Sequence, residues 1–120
     1  MFLIFLTLWL ITKFYNFFIY PIIQIFKSKN EFGYILTSQG FYEHREKVQT
    51  LIGRKLNSNE EVHHINGKKW DNKKSNLALL TRENHQRWHK HLHFLYSKKK
   101  YPKIKSQRKI LVKEFEARIF

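Results

Sequence analysis

The apolar positions of this chain divide it into four parts. Residues 1–26 are apolar with Lys13 as the one charge, a length that matches a membrane-spanning helix. Residues 27–33 form a polar linker. Short apolar runs separated by turn residues then extend over residues 34–93, and a basic tail with apolar positions at rough helical spacing occupies residues 94–120. We therefore expect one small folded domain over residues 34–93, preceded by an apolar segment and followed by a partly helical tail.

The first half of this middle region predicts a small hairpin and a helix. Residues 34–37 are β-like, a turn follows at residues 38–40, and Phe41 begins the returning strand. Residues 43–52 have apolar positions that share one face of a helix, and Gly53 is placed to end it.

The second half predicts a strand, a loop, a second strand and a helix. Residues 61–65 are rich in β-branched and imidazole side chains and run into Asn66-Gly67, a strong turn signal. Residues 77–80 suit the second strand of a hairpin. Thr81 is a good helix N-cap, so a helix should run over about residues 82–92. The expected class is α+β.

Four histidines and one asparagine occur in this second half with the spacing H-H-x11-N-x8-H-x3-H. His85 and His89 are four residues apart on the predicted helix, so both lie on one face and can share a metal ion. A third ligand from the strand would leave open coordination positions for water and a phosphate oxygen. A histidine near neutral pKa can deprotonate water, and a divalent metal can stabilise a phosphate and a leaving oxygen. The pattern therefore indicates phosphodiester hydrolysis.

The same residues resemble the HNH endonuclease family, in particular its intron- and phage-encoded homing-type branch. The resemblance covers about residues 34–92. It is carried by short motifs in chain order: His44-Arg45, Gly53-Arg54-x-Leu56, Val62-His63-His64, Asn66-Gly67, Asn76-Leu77 and Thr81-x-x-Asn84-His85. It implies a ββα-metal domain that cleaves DNA.

The resemblance also implies a role for each motif residue. His63 matches a metal ligand on the strand, and His64 matches the general base that activates water. Asn76 matches the asparagine that pins the loop and so orients the base. His85 matches the second metal ligand, and His89 matches an additional ligand found in some members. One divalent ion is implied, Mg²⁺ by resemblance, although histidine ligands also accept Mn²⁺, Ni²⁺ or Zn²⁺.

Two questions stay open at this point. Neighbouring residues on a regular strand point to opposite faces, so His63 and His64 share a site only if the strand is twisted or bulged there. His91 and His93 crowd the segment around His89, and these three cannot all be ligands. His44 is expected to be structural or DNA-facing.

The charge of the chain indicates a polyanionic partner. Its formal net charge is +14, which favours nucleic acid or an acidic membrane surface. Arg45 matches a family arginine that faces a phosphate. Four further cations crowd the loop before Asn76 and suit phosphate contact in double-stranded DNA: Lys68, Lys69, Lys73 and Lys74. The chain has no cysteine, so neither disulfides nor Cys-rich zinc pairs brace the fold.

Residues 1–26 admit several interpretations: a spanning helix, a buried helix, a helix along a membrane surface, or a leader that is apolar through A/T-rich codon bias. The frequent Phe, Ile, Lys, Asn and Tyr suggest an AT-rich genome such as that of an organelle, a phage or a low-GC bacterium.

Two functions compete with the nuclease: a catalytically inactive DNA-binding remnant, and a membrane-anchored basic protein. The oligomeric state is left open.

Overall fold

The computed structural model describes the backbone of residues 1–120 and every side chain except that of Gln24. Its architecture is α+β, as predicted. The helices and strands along these described residues are, in chain order, α1 (Phe2–Phe14), a π-helical turn (Tyr15–Ile19), α2 (Tyr20–Phe26), α3 (Glu43–Ile52), β1 (Glu60–His64), a 3₁₀ turn (Lys74–Asn76), β2 (Leu77–Thr81), α4 (Arg82–Ser97), α5 (Ile104–Phe115) and β3 (Arg118–Ile119).

The three strands form an antiparallel sheet in the order β1-β2-β3. Strands β1 and β2 pair residue for residue from Glu60 opposite Thr81 to His64 opposite Leu77, without a bulge. Side chains therefore alternate regularly along β1, and His63 and His64 leave the sheet on opposite faces.

The alternation along β2 gives the sheet two hydrophobic faces. Leu77 and Leu79 pack on one side with Val48 of α3. Ala78 and Leu80 pack on the other side with α4 and α5, around the fully buried Trp88. The sheet is thus the middle of three layers, and this arrangement sets different neighbours beside His63 and His64.

Helices α3 and α4 begin and end close to where the sequence predicts. Helix α3 covers residues 43–52, and Gly53 ends it with φ 73°, a left-handed conformation that favours glycine. Thr81 caps α4, because its hydroxyl accepts a hydrogen bond from the Asn84 amide at 3.2 Å. Helix α4 extends to Ser97, beyond the predicted end near residue 92.

The hairpin predicted before α3 is reduced to two isolated bridges, Lys29 with Ile35 and Leu36 with Tyr42. The basic tail over residues 94–120, which the sequence predicts to be partly helical, contains α5 and β3. Leu111 and Phe115 of α5 belong to the same hydrophobic core as Trp88, and β3 extends the sheet beside β2. The apolar positions of this segment therefore contribute to the core, while its lysines remain at the surface.

Helix α1, the π-helical turn and α2 form a helical segment over residues 2–26 that projects an apolar surface into solvent. The stretch Phe2–Ile23 is long and apolar enough to cross a membrane, and none of its most apolar window is buried against the rest of the chain. The buried-helix interpretation of this segment is therefore wrong.

Candidate metal centre and active site

Three imidazoles converge on the α4 side of the sheet. His63 comes from β1, and His85 and His89 come from successive turns of α4. One ligand nitrogen from each lies within 4.8 Å of the other two. His91 and His93 are outside this cluster, so the structure separates His89 from its two crowding neighbours.

Hydrogen bonds define which nitrogen each ring presents to the cluster. The indole N–H of Trp88 donates to Nε2 of His63 at 3.1 Å, so neutral His63 carries its proton on Nδ1, which donates to Nε2 of His85 at 3.2 Å. Nδ1 of His85 donates to the Glu61 carboxylate at 2.5 Å, so Nε2 of His85 carries the lone pair and accepts from the neighbouring histidine rings. A carboxylate behind a ligand histidine fixes its tautomer and makes the ligand more basic.

The spacing of these nitrogens fits a metal ion. Nε2 of His85 lies 3.2 Å from Nδ1 of His63 and 3.0 Å from Nε2 of His89. Two ligands bound at about 2.0–2.1 Å to a tetrahedral centre would be roughly 3.3 Å apart. Two of the nitrogen separations therefore match those of a metal site with further coordination positions left for oxygen ligands, and a metal bound at Nδ1 of His63 would displace the proton that this nitrogen carries.

The protonation of the cluster also suits a cation. Burial, together with the neighbouring histidines, lowers the pKa of His63 to about 3. Burial and His85 lower the pKa of His89 as well. Burial raises the pKa of Glu61, but the hydrogen bonds from His85 and Arg82 outweigh it and hold that pKa below its usual value. At neutral pH His63 and His89 are therefore neutral imidazoles beside an ionised carboxylate.

His64 has a separate set of neighbours on the α3 side of the sheet. Its Nε2 lies 2.8 Å from Oδ1 of Asn72, and Nδ2 of Asn72 donates to Glu43 at 2.7 Å. Glu43 is the first residue of α3 and pairs with Lys27 at 2.5 Å. A continuous chain of hydrogen bonds therefore runs from His64 to the end of the N-terminal helical segment.

This chain determines the proton position on His64. The Glu43 carboxylate can only accept, so it fixes the Asn72 amide with its nitrogen towards Glu43 and its oxygen towards His64. Nε2 of neutral His64 is then the donor and Nδ1 carries the free lone pair. Burial lowers the pKa of His64, and the hydrogen bond to Asn72 offsets part of this effect. His64 is thus held as a neutral ring with one basic nitrogen.

Asn76 fastens the loop between β1 and β2 instead of touching His64. Its side-chain oxygen accepts from the Asn66 amide at 2.9 Å, and its nitrogen donates at 2.8 Å both to the side chain of Asn66 and to the Asp71 carbonyl. These bonds hold the loop that carries Asn72, the direct partner of His64. The geometry is that of a loop pin, and the orientation of a catalytic base by Asn76 stays a prediction.

One cavity connects the two histidines despite their opposite directions. Its volume is about 460 Å³, and its walls include His63, His64 and His89. His64 is the last residue of β1. At the end of the strand its side chain therefore lines the same cavity as His63 and His89. The strand therefore needs no bulge for its two neighbouring histidines to serve one site.

The predicted nucleic-acid-binding cations lie in different places. Arg45 lines a second cavity of about 290 Å³ together with Glu61 and His85. Lys69 lies over the Tyr34 ring at 4.9 Å, and Tyr34 packs near His64. The other cations of the loop are Lys68, Lys73 and Lys74. Lys68 lies over the ring of Trp70, and Lys73 lies over the ring of Tyr20. Contact of these cations with DNA stays a prediction.

His44 is structural in its surroundings. It is 6% exposed and its ring stacks on Tyr34 at 5.1 Å, while it meets His64 edge-on at 4.9 Å. Burial lowers the pKa of His44 to about 3. The neutral ring thus packs behind His64 and limits its movement.

Three side chains at this site are absent from the sequence-based assignment: Glu61, Asn72 and Glu43. Glu61 could have been found, because residues two apart on a strand share a face and Glu61 precedes His63 by two. Asn72 and Glu43 carry no motif signal, since they come from an irregular loop and from a separate helix.

Comparison with known proteins agrees with this geometry over part of the chain. Residues 44–87 match a protein-family model described as HNH endonuclease. That span includes β1, β2 and the first turns of α4, and so contains His63, His64, Asn76 and His85. No curated protein and no solved structure matches the chain significantly.

Proposed function

We propose that this protein is a metal-dependent endonuclease that hydrolyses DNA phosphodiester bonds. The observation that carries the proposal is that His64 lines one cavity together with His63 and His89, two members of the three-imidazole cluster. The family match over residues 44–87 supports a nuclease, and the homing-type assignment rests on the motif resemblance alone.

In this proposal His64 is the general base. Its Nδ1 takes a proton from a water molecule as that water attacks the phosphorus. The imidazolium that forms still donates its Nε2–H to Oδ1 of Asn72. Glu43 orients this amide, because it accepts a hydrogen bond from Nδ2 of Asn72. The Asn72 dipole and the Glu43 charge therefore stabilise the protonated base at the moment it forms.

His63, His85 and His89 would hold the metal. A bound divalent ion supplies charge stabilisation for the phosphate and the departing oxygen. Glu61 keeps Nε2 of His85 available as a ligand atom. Imidazole donors favour Mn²⁺, Ni²⁺ or Zn²⁺ on chemical grounds, whereas Mg²⁺ is favoured only by the resemblance.

The DNA backbone would enter beside Arg45 and Lys69. Arg45 lines the second cavity, of about 290 Å³, together with His85. Lys69 lies over the ring of Tyr34, which packs near His64. Both cations would contact phosphates close to the one that is cut. The net charge of +14 would add affinity that does not depend on DNA sequence.

A plasmid-nicking assay tests the proposal. The wild-type chain should relax supercoiled plasmid with Mg²⁺ or Mn²⁺ and should lose this activity in EDTA. His64→Ala should lower the nicking rate by about 100-fold or more, because a general base contributes roughly 10²–10⁴-fold. A gel-shift measurement should show that the same variant still binds DNA.

The competing function, an inactive DNA-binding remnant, predicts a different result. A folded, metal-loaded chain would then shift DNA in the gel without nicking it under any of these ions. Equal nicking by wild type and His64→Ala would instead point to another base or to a contaminating nuclease.

A further inference from the structure

The surface that the proposed nuclease does not use is the N-terminal helical segment (residues 2–26). Its large apolar side chains are exposed on every face; Phe2 is 80% exposed, Phe17 75% and Ile25 68%. A helix that docks on one protein partner needs one apolar stripe, whereas a helix that is apolar all round needs an apolar medium on all sides. We propose that a lipid bilayer surrounds this segment and anchors the catalytic domain at the membrane surface.

The length of the segment fits a bilayer. The apolar stretch Phe2–Ile23 has 22 residues. At about 1.5 Å per residue it extends roughly 33 Å, slightly more than the roughly 30 Å of a hydrocarbon core. A tilt of the helix would accommodate the difference.

The polar groups within the stretch are compatible with lipid. The hydroxyls of Thr7 and Thr12 donate to the helix carbonyls of Ile4 and Leu8 at 2.8 and 2.7 Å. The ammonium of Lys13 lies 5.3 Å from the centre of the Trp9 ring. This cation–π contact partly replaces the water that would otherwise hydrate the charge. Lys13 still opposes insertion, because a charge near the middle of a span is costly.

Lipid is a better occupant than another helix. Membrane helices pack closely through small residues such as Gly, Ala and Ser. Residues 1–26 contain none of these three residue types. Bulky Leu, Ile and Phe side chains cover the segment instead, as on lipid-facing surfaces.

The end of the helix that joins the domain has the composition of a membrane interface. Tyr20 pairs with Trp70 at a ring distance of 6.4 Å, although 50 positions of sequence separate them. The ammonium of Lys73 lies 4.5 Å from the Tyr20 ring, and that of Lys68 lies 5.4 Å from the Trp70 ring. We call these four residues the aromatic–basic collar.

Such a collar is what the headgroup region selects. Tyr and Trp concentrate at membrane–water interfaces, and lysines there attract acidic lipids. Lys27 and Lys29 add positive charge just beyond the helix and favour the cytoplasmic, stromal or matrix side for the domain. The collar therefore assigns Lys68 and Lys73 to lipid headgroups, while Lys69 remains beside His64. The inference does not depend on the proposed cleavage.

A flotation experiment with the full chain tests insertion. The chain would be synthesised in a cell-free system with vesicles of phosphatidylcholine and phosphatidylglycerol, treated with carbonate and floated on a density gradient. Wild type should float with the vesicles. The double variant Leu6→Asp, Leu10→Asp should remain at the bottom, and Lys13→Leu should float at least as completely as wild type.

Val112→Asp is the matched control. Val112 is 46% exposed on α5, so the change places one carboxylate, half the charge of the double variant, on an apolar position of the domain. This variant should float like wild type. Wild type that stays at the bottom, or that floats equally with Asp at positions 6 and 10, would overturn the proposal. Floated protein that has lost residues 1–26 by mass spectrometry would also overturn it, because the segment would then be a leader.

Trp70 gives an independent test of the collar. The emission lost in Trp70→Phe isolates the signal of Trp70 from those of Trp9 and Trp88. Lipids brominated at shallow acyl positions should quench this signal more than lipids brominated near the chain ends. Trp70 emission that neither lipid quenches would place the collar away from the membrane and remove its role in anchoring.

Discussion

Two neighbouring residues of one strand, His63 and His64, occupy chemically different environments. His63 faces α4, where its neighbours are two imidazoles and an indole N–H. His64 faces α3, where its neighbours are an amide oxygen and the carboxylate behind it. The regular alternation of β1 creates this difference, because adjacent side chains leave opposite faces of the sheet. One strand can therefore supply a metal ligand and a separate base, which meet only at the strand end.

The largest effect should follow a change on the metal side. His85→Ala removes the imidazole that lies between the other two, so metal affinity should fall by more than about 100-fold, beyond the range caused by losing an outer hydrogen bond. Isothermal titration with Mn²⁺ or Zn²⁺ measures this. His93→Ala, on the same helix but outside the cluster, should bind metal normally. Equal affinity in wild type and His85→Ala would contradict the metal assignment.

A change on the base side should leave the metal in place. Asn72→Leu removes the amide that orients His64, with little change in volume. The turnover rate should fall by about 10- to 100-fold, since a mispositioned base loses part of its roughly 10²–10⁴-fold contribution. Metal affinity should remain unchanged.

Asn57→Leu provides the control for that prediction. The Asn57 side chain is exposed in the loop before β1, so its replacement removes an amide without touching the site. A lower metal affinity in Asn72→Leu would show that the two faces of β1 are not independent.

A smaller effect should follow the loss of the carboxylate behind His85. Glu61→Gln keeps the shape but weakens the acceptor for Nδ1 of His85, so metal affinity should fall by about 10-fold, the lower end for such partners. Glu60→Gln is the matched control, because Glu60 is the neighbour of Glu61 on β1 but pairs with Arg54 instead of His85. Identical metal titrations for both variants would exclude Glu61 from the site.

The metal-free protein should lose stability in mild acid. Burial lowers the pKa of His63 and of His44 to about 3, so both stay neutral in the fold and become protonated near pH 6.5 when unfolded. The unfolded state then binds more protons between about pH 6.5 and 3, and stability falls as pH falls. Each histidine contributes up to about 1.4 kcal/mol per pH unit.

Urea unfolding at pH 7, 6 and 5 in the presence of EDTA measures this slope. Saturating metal should raise the stability at each pH without flattening this slope, because bound metal keeps its ligand histidines unprotonated in the fold while the unfolded chain still takes up protons. Constant stability between pH 7 and 5 without metal would mean that these rings are accessible to protons in the fold.

The sequence predicts most of the metal side and little of the base side. The pairing of His85 with His89 follows from helix periodicity and the choice of His63 from the family resemblance, and the helices at 43–52 and from 82 follow from their apolar spacing and capping residues. The Asn72–Glu43 chain depends on how α3 packs beside an irregular loop, which local patterns do not encode.

The end of the chain shows the same limit. Strand β3 has only two residues, Arg118–Ile119, too few for a periodic signal, and it exists because β2 offers a free edge. Likewise, the sequence shows that residues 1–26 are apolar, but only the fold brings Trp70 beside Tyr20 at the end of that segment.

The most direct test of the account compares His63→Ala and His64→Ala side by side. Metal content and single-turnover nicking of plasmid would be measured on both variants and on wild type. We expect strongly reduced cleavage by both variants and loss of the metal only in His63→Ala. Loss of metal in His64→Ala, or normal cleavage by it, would contradict the division of one strand into a metal face and a base face.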